Sequence, residues 1–200
     1  MTRAVQTIRL EHFNIASVLT CLGYLLREAE AGQWEPEEEL LSAVVLYLES
    51  YPEVYHHPKE DDYLFAAMRR RKPELAEVLD KVHDEHVKGA RLLEELRAAL
   101  TTYFAKAGRA AGDFDDFRRK AQDYIAFERR HMRREERELL PLALEVLEAE
   151  DWAEIDAAFA ANEDPLFGAE KRREFKDLVD WILELAPSPL GFRETGQPAA

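Results

Sequence analysis

The stretch that decides the fold is residues 5–26, VQTIRLEHFNIASVLTCLGYLL. Its apolar side chains recur at alternating steps of three and four, at Val5, Ile8, Ile15, Leu19, Leu22 and Leu26. That spacing is typical of the buried seam of a helix packed against other helices. One member of the series is polar, because His12 stands where an apolar residue is expected.

The helical period continues beyond a turn at residues 32–36, and no segment alternates like a strand. A second helix is predicted from about Pro36 to Arg70, bent where Pro52 and Pro58 each remove a backbone donor. After a turn at residues 71–73, the seam of a third helix comprises Leu75, Leu79, Val82, His86, Gly89, Leu93, Leu96 and Leu100. A loop at residues 108–112 precedes a fourth helix, whose inner face carries Phe117, Ala121, Tyr124, His131, Glu135, Leu139 and Leu142.

Short turns between long helices favour antiparallel neighbours. The predicted fold is therefore all-α, with an up-down-up-down four-helix bundle over residues 1–149. Two shorter helices, Trp152–Ala161 and Ala169–Leu185, are expected in a C-terminal extension over residues 150–186. Residues 187–200 hold three prolines and two glycines and are expected to form a flexible tail.

The formal net charge of −14 limits the possible partners. Nucleic acids and anionic membrane surfaces bind basic faces, so neither is expected as a partner. The basic runs at residues 69–72 and 129–130 lie among acidic residues and are interpreted as solvated helix surface. No apolar stretch could span a bilayer, and the first ten residues lack the apolar core of a secretory signal. A cytoplasmic location is therefore expected.

Four histidines, one from each predicted helix, face the interior: His12, His56, His86 and His131. In an antiparallel hairpin, two residues lie level when they are equidistant from the turn. The midpoints of successive pairs of these histidines fall at residue 34, at residue 71, and between residues 108 and 109, each inside a predicted turn. We therefore expect the imidazoles to form one layer across the bundle. Because a buried, unpartnered imidazole is costly, such a layer indicates a metal site.

Two carboxylates complete the layer. Glu60 and Glu135 each follow a histidine by four residues and so share its helix face. The set exceeds what one tetrahedral zinc ion needs, and imidazole with carboxylate suits iron, with manganese or zinc as lesser alternatives. Two octahedral ions have about twelve coordination places. Four histidines, two bridging carboxylates and one bridging oxide or hydroxide leave two of them open to a small oxidant.

Four segments resemble the hemerythrin-like (HHE cation-binding) family over about residues 5–145. They are Glu11-His12, residues 55–65, Glu85-His86 with Gly89, and residues 131–141. The resemblance implies an oxo- or hydroxo-bridged di-iron centre. In it, His12, His56, His86 and His131 would be terminal ligands, and Glu60 and Glu135 would be bridges. The sequence is more similar to the four-histidine di-iron proteins linked to nitric oxide and iron–sulfur cluster repair than to the five-histidine oxygen carriers.

Other side chains are candidates for an open coordination place. His83 lies beside the third seam, and His57 points about 100° away from His56 on a regular helix, so both are expected outside the ligand set. Glu128 lies one turn before His131 and is a candidate hydrogen-bond acceptor near it. Three tyrosines are either core residues or phenolate ligands: Tyr55, Tyr63 and Tyr124.

The leading functional hypothesis is a di-iron protein that binds, and as an enzyme reduces, a small oxidant such as dioxygen, peroxide or nitric oxide. Its electrons would come from a redox partner that the sequence does not identify. One alternative is an oxygen, iron or redox sensor that uses the C-terminal helices as its output. Another is a passive metal-binding module without turnover.

Overall fold

The computed structural model describes residues 2–105 and 111–160. All regular secondary structure in these residues is helical, which confirms the prediction of an all-α protein. The helices are α1 (Arg3–Glu30), α2 (Glu38–Ser50), α3 (His57–Lys59), α4 (Ala66–Arg71), α5 (Ala76–Ala105), α6 (Ala111–Arg134), α7 (Leu140–Val146) and α8 (Ala149–Ala160). Three π-helical segments, Pro52–His56, Glu60–Phe65 and Glu135–Leu139, and a short 3₁₀ turn, Pro73–Leu75, join some of them.

These elements form four long arms: residues 3–30, 38–71, 76–105 and 111–146. The first arm contacts the second and the fourth, and the third arm likewise contacts the second and the fourth. The first arm begins where the Thr2 hydroxyl accepts a hydrogen bond from the Val5 amide, a side-chain N-cap. It ends before Gly32, whose φ of 67° lies in the left-handed region that glycine adopts without strain.

The second arm is irregular where the sequence places two prolines. From Pro52 to His56 the backbone is π-helical, and the His56 amide donates to the Tyr51 carbonyl five residues earlier. A second π-helical segment begins at Glu60, and a third begins at Glu135 in the fourth arm. The expected irregularity near Pro52 and Pro58 therefore takes the form of wider helical turns. All three π-helical segments lie at or beside predicted metal ligands.

Two apolar clusters fill the interior, one on each side of a polar layer. One cluster is built around Ile15–Leu26 of the first arm, Leu40–Tyr51 of the second and Leu93–Leu100 of the third. The other includes Val5, Ile8, Leu64, Leu79 and Leu139. The predicted seam of the first arm is confirmed, since each of its apolar members is at most 1% exposed. No helix among residues 2–105 and 111–160 is long and apolar enough to cross a membrane.

Helix α8 covers the end of the arms near the second cluster. Trp152, Ile155 and Phe159 pack into that cluster, and Asp156 accepts a 2.7 Å hydrogen bond from the Ala4 amide. This matches the first of the two predicted C-terminal helices, with its start shifted to Ala149. The second predicted helix, at residues 169–185, and the predicted tail at 187–200 lie outside the described residues.

Candidate metal centre

The six predicted ligands meet in the polar layer between the two apolar clusters. Each is at most 5% exposed: His12, His56, Glu60, His86, His131 and Glu135. Their ring nitrogens and carboxylate oxygens fall into two adjacent groups, and the atoms within each group lie within 4.8 Å of one another. The layer that the hairpin midpoints predict is therefore present.

One group contains two histidines and two carboxylates. The Nε2 atoms of His12 and His56 are 3.0 Å apart. The His12 Nε2 also lies 3.2 Å from one oxygen of Glu135, and the His56 Nε2 lies 3.5 Å from one oxygen of Glu60. We call this group the two-histidine end.

The other group contains three histidines, His57, His86 and His131. The rings of His57 and His86 stack with centroids 4.2 Å apart, and the His131 ring stands edge-on to both. All three side chains are buried. We call this group the three-histidine end.

The two carboxylates connect the two ends. Glu135 places Oε2 at 3.2 Å from His12 and Oε1 at 3.4 Å from His86 and 3.3 Å from His131. Glu60 places Oε2 at 3.5 Å from His56 and 3.7 Å from His86. A carboxylate that faces both groups at once is positioned to bridge two metal ions.

A second ring of carboxylates surrounds the imidazoles. Four of the five histidines pair through Nδ1 with a different carboxylate, at these distances: His12 to Glu136, 3.1 Å; His56 to Glu11, 2.7 Å; His86 to Asp61, 3.0 Å; and His131 to Glu85, 3.2 Å. The Nδ1 of His57 faces Glu53 at 3.7 Å, which is too long for a hydrogen bond. Such partners fix the ring orientation and tautomer of metal-binding histidines and raise their basicity. In His12, His56, His86 and His131 the Nε2 atom is directed to the carboxylates at the centre.

The site repeats internally. Its first-half residues recur 74 or 75 positions later in five pairs: Glu11 and Glu85, His12 and His86, His56 and His131, Glu60 and Glu135, Asp61 and Glu136. The contacts repeat too, since Glu11 supports His56 as Glu85 supports His131. The same 75-residue spacing places Met132, which has no imidazole, in the position equivalent to His57. This single difference makes one end richer in histidine.

His57, expected to point away from His56 and outside the ligand set, lies against the centre instead. Its side chain is 4% exposed and its ring contacts those of His56, His86 and His131. The 100° angle between neighbouring residues holds for a regular α-helix, whereas the chain reaches His57 through a π-helical segment. Five histidines therefore meet at the candidate centre, one more than the four that the sequence pattern predicts. The signal in the sequence was Pro52, which predicts an irregular helix at that height.

A protein-family model matches most of the chain. The model of the hemerythrin HHE cation binding domain matches residues 3–143. The chain belongs to this family. None of the curated proteins and none of the solved structures that were compared matches the chain.

The centre of this HHE domain fits a bound cation. Within the described part of the chain, four buried polar atoms at the centre have no hydrogen-bond partner: both Glu60 carboxylate oxygens, Glu135 Oε2 and His131 Nε2. Orphaned buried polar atoms are rare in folded proteins because each loses its hydration without compensation. Metal ions bound at both ends would provide these atoms with partners.

The electrostatics of the HHE site favour cations as well. Burial alone lowers the pKa of His12, but contacts with Glu135 and Glu136 raise it to about 10. Burial likewise opposes the charge on His86, and contacts with Asp61 and Glu135 raise its pKa to about 10. Burial of Glu135 is outweighed by His131, His12 and His86, which hold its pKa well below its usual range. The carboxylates thus attract positive charge into the layer, and metal binding must displace these protons.

The structure separates the remaining candidates. His83 is 58% exposed and contacts Asp61 at 2.9 Å, outside both ends of the centre. Tyr63 is 40% exposed and Tyr55 is half-buried, whereas Tyr124 is fully buried. Neither Glu53 nor the other outer carboxylates are predicted as site residues from the sequence, although Glu11-His12 and Glu85-His86 are part of the family resemblance.

A buried acidic pocket lies beside the three-histidine end. Glu128 is 1% exposed, and a methyl group at Gly89 would lie 2.8 Å from its Oε1 and 3.9 Å from the Glu53 Oε1. Gly89 therefore makes room for a carboxylate in the third seam. Burial raises the pKa of Glu128 to about 7, and burial together with Glu128 raises that of Glu53 to about 7. The Tyr124 hydroxyl has no hydrogen-bond partner among the described residues.

Proposed function

We propose that this HHE domain holds an oxo- or hydroxo-bridged pair of iron ions and uses it to bind and reduce a small oxidant: dioxygen, peroxide or nitric oxide. The observation that carries the proposal is the layer of five buried imidazoles around Glu60 and Glu135, two carboxylates that each face both ends. We also infer that the four arms run up-down-up-down, because that order brings one level of each arm into the layer.

Iron is the metal that this donor set suits best. Five neutral imidazoles with two carboxylates suit iron, as well as manganese and zinc, better than magnesium or calcium. Zinc in structural sites takes four ligands, fewer than the seven side chains that converge here. The iron pair would supply the electrons and the binding place for the oxidant.

The asymmetry of the site indicates where the oxidant binds. Of about twelve coordination places on two octahedral ions, five histidines, two bridging carboxylates and one bridging oxide or hydroxide fill all but one. His57, His86 and His131 complete the three-histidine end, whereas Met132 replaces the corresponding histidine at the other end. The open place therefore belongs to the two-histidine end, beside His12 and His56.

The surrounding residues orient the imidazoles and exclude water from the centre. Outer carboxylates such as Glu11 and Asp61 hold the imidazoles in position before metal binds. The apolar clusters above and below the layer exclude bulk water. A centre enclosed in this way admits small molecules and protects reactive species from solvent.

The test combines metal analysis with spectroscopy. The protein is loaded anaerobically with ferrous iron, then exposed separately to dioxygen, hydrogen peroxide and nitric oxide while charge-transfer bands are followed. We expect about two iron ions per chain and a spectral change with at least one oxidant. His131→Ala should lower the iron content, and His83→Ala is the matched control because its side chain is exposed. Zinc alone, or equal iron loading in both variants, would contradict the proposal.

A further inference from the structure

A basic groove lies between the first and fourth arms, directly outside the two-histidine end. Its volume is about 460 Å³, within the range of small-molecule sites. Four arginines line it: Arg9, Arg129, Arg133 and Arg137. The only acidic side chain in its lining is Glu136. The chain as a whole has a net charge of −14, so the positive charge of this groove is opposite in sign to that of the whole protein.

The arginines are arranged for an anion. Arg129, Arg133 and Arg137 are spaced by four residues along the fourth arm, and all three line the groove. Arg129 donates to the Thr20 hydroxyl. Arg133 and Arg137 form no ion pair with any described residue. Guanidinium groups bind phosphate and carboxylate through paired, charge-assisted hydrogen bonds. The number of arginines, and the absence of a described acidic partner at Arg133 and Arg137, favour a phosphate-bearing ligand.

The groove also offers an aromatic face. Phe13 lies in its lining with 67% of its surface exposed, which is high for a phenylalanine. Ala16 and the buried Met132 add apolar surface beside it. A planar aromatic ring can stack on an exposed phenyl group, and arginines at the rim strengthen such stacking. The groove is therefore suited to a molecule that carries both a planar aromatic ring and a phosphate group.

Only one imidazole separates the groove from the centre. His12 lies in the groove lining, with Nδ1 at 3.1 Å from Glu136 and Nε2 inside the metal layer at 3.2 Å from Glu135. Because His12 is only 2% exposed, a bulky molecule in the groove cannot touch the metal. Electrons can nevertheless cross the ring, so the groove is suited to an electron donor and not to the oxidant.

We propose that this groove binds a phosphorylated, planar aromatic reductant of the reduced flavin mononucleotide class, and that its electrons reach the centre through His12. The phosphate lies on Arg133 and Arg137, and the ring lies on Phe13. The anionic reduced flavin loses two electrons and one proton to become the oxidised flavin. The proton leaves to solvent, and the two electrons would each reduce one ferric ion held by the two ends. This inference rests on the proposed function for its redox step, but the binding site does not depend on iron.

The first experiment measures binding on the protein as purified, whatever its metal content. Oxidised flavin mononucleotide is titrated and its fluorescence followed, with riboflavin as the ligand that lacks the phosphate. We expect saturable binding, at least about tenfold tighter for the phosphorylated ligand and weakened by salt. Arg133→Glu/Arg137→Glu should remove that preference. Arg91→Glu is the control, since Arg91 is 69% exposed on α5 and lies outside the groove lining.

The second experiment measures reduction of the iron-loaded protein by reduced flavin mononucleotide under anaerobic stopped flow. The rate should saturate with flavin concentration, fall about tenfold or more in Arg133→Glu/Arg137→Glu, and stay unchanged in Arg91→Glu. Failure to hold iron would end the proposed function but leave the binding result standing. The groove assignment is overturned if the phosphorylated and unphosphorylated flavins bind alike. It is equally overturned if the charge-reversed variant binds as well as the wild type, or if only an acidic redox protein reduces the centre.

Discussion

The outer carboxylate Glu11 is the residue whose replacement tests the energetics of the site most sharply. It is fully buried, accepts a 2.7 Å hydrogen bond from His56 Nδ1, and lies 3.5 Å from the Lys59 ammonium group. The Lys59 side chain is only 7% exposed. Its ammonium group also lies over the Phe159 ring, 5.4 Å from the ring centroid. Glu11→Gln keeps the shape of the side chain and removes its charge.

Two separate losses are expected from Glu11→Gln. Lys59 would keep a buried charge without its carboxylate, and breaking a buried pair in this way costs about 3–5 kcal/mol. The 3.5 Å separation and the Phe159 ring place the loss near the lower end, about 3 kcal/mol of unfolding free energy. Separately, His56 would lose its anionic partner, which lowers metal affinity by roughly 10–100-fold.

A second substitution separates the two losses. In Glu11→Gln/Lys59→Met the unpaired ammonium is gone, so most of the stability should return while metal affinity stays low. Glu85→Gln is the matched control: Glu85 supports His131 in the same manner but is 24% exposed, and its cation partner Arg134 is 40% exposed. That variant should lose metal affinity with little loss of stability.

The assays are denaturant unfolding of the metal-free protein and competition for ferrous iron against a chelator. The reasoning fails if Glu11→Gln and Glu85→Gln unfold at the same denaturant concentration. It also fails if Lys59→Met does not restore stability to the Glu11→Gln protein.

Three further changes test other parts of the site. Gly89→Ala should lower the melting temperature, because its methyl group meets the Glu128 carboxylate at 2.8 Å, and should cost less in a Glu128→Ala background, with a coupling of at least about 0.5 kcal/mol. Burial raises the pKa of Glu128 from 4.5 to about 7, so between these pH values the folded metal-free protein binds a proton that the unfolded chain releases. Its unfolding free energy should therefore fall by up to about 3 kcal/mol as the pH rises from 4.5 to about 7. Glu128→Gln should flatten this fall, as measured by denaturant titrations at several pH values. Met132→His, at the position that matches His57, should keep the iron content but slow the reaction with oxidant in stopped-flow spectra; an unchanged rate contradicts the assignment of the open place.

Much of the polar layer could be predicted because helix geometry converts residue number into height. Each residue of a helix rises by a constant amount, so distances from a turn place His12, His56, His86 and His131 at one level. The apolar periodicity of the first and third arms predicts that their histidines face the interior. Neither inference needs packing detail, which is why all four histidines were placed together.

His57 could not be placed by the same reasoning. Its direction depends on the angle between successive residues, and the π-helical segment Pro52–His56 changes that angle. Pro52 signals an irregular helix, but its sequence context does not distinguish a kink from a wider turn. A π-helical turn changes the direction of a side chain much more than its position along the helix axis.

The outer carboxylates depend on packing between arms. Glu11 precedes His12 in sequence yet supports His56, and Glu85 precedes His86 yet supports His131. Neighbours on a helix point about 100° apart, so the partner of each carboxylate belongs to another arm. The basic pair at residues 129–130 was interpreted as solvated surface for a similar reason, because a groove requires a second wall, which Arg9 and Phe13 supply here.

The most direct measurement of the central claim is the count and symmetry of the bound iron. Mössbauer spectra of the isotope-enriched, iron-loaded protein should show two inequivalent iron sites of equal area, because one end has three histidines and the other has two. In His57→Leu the signal of the three-histidine end should change while that of the other end persists. A single iron site, or less than about one iron ion per chain, would contradict a five-histidine, two-metal centre.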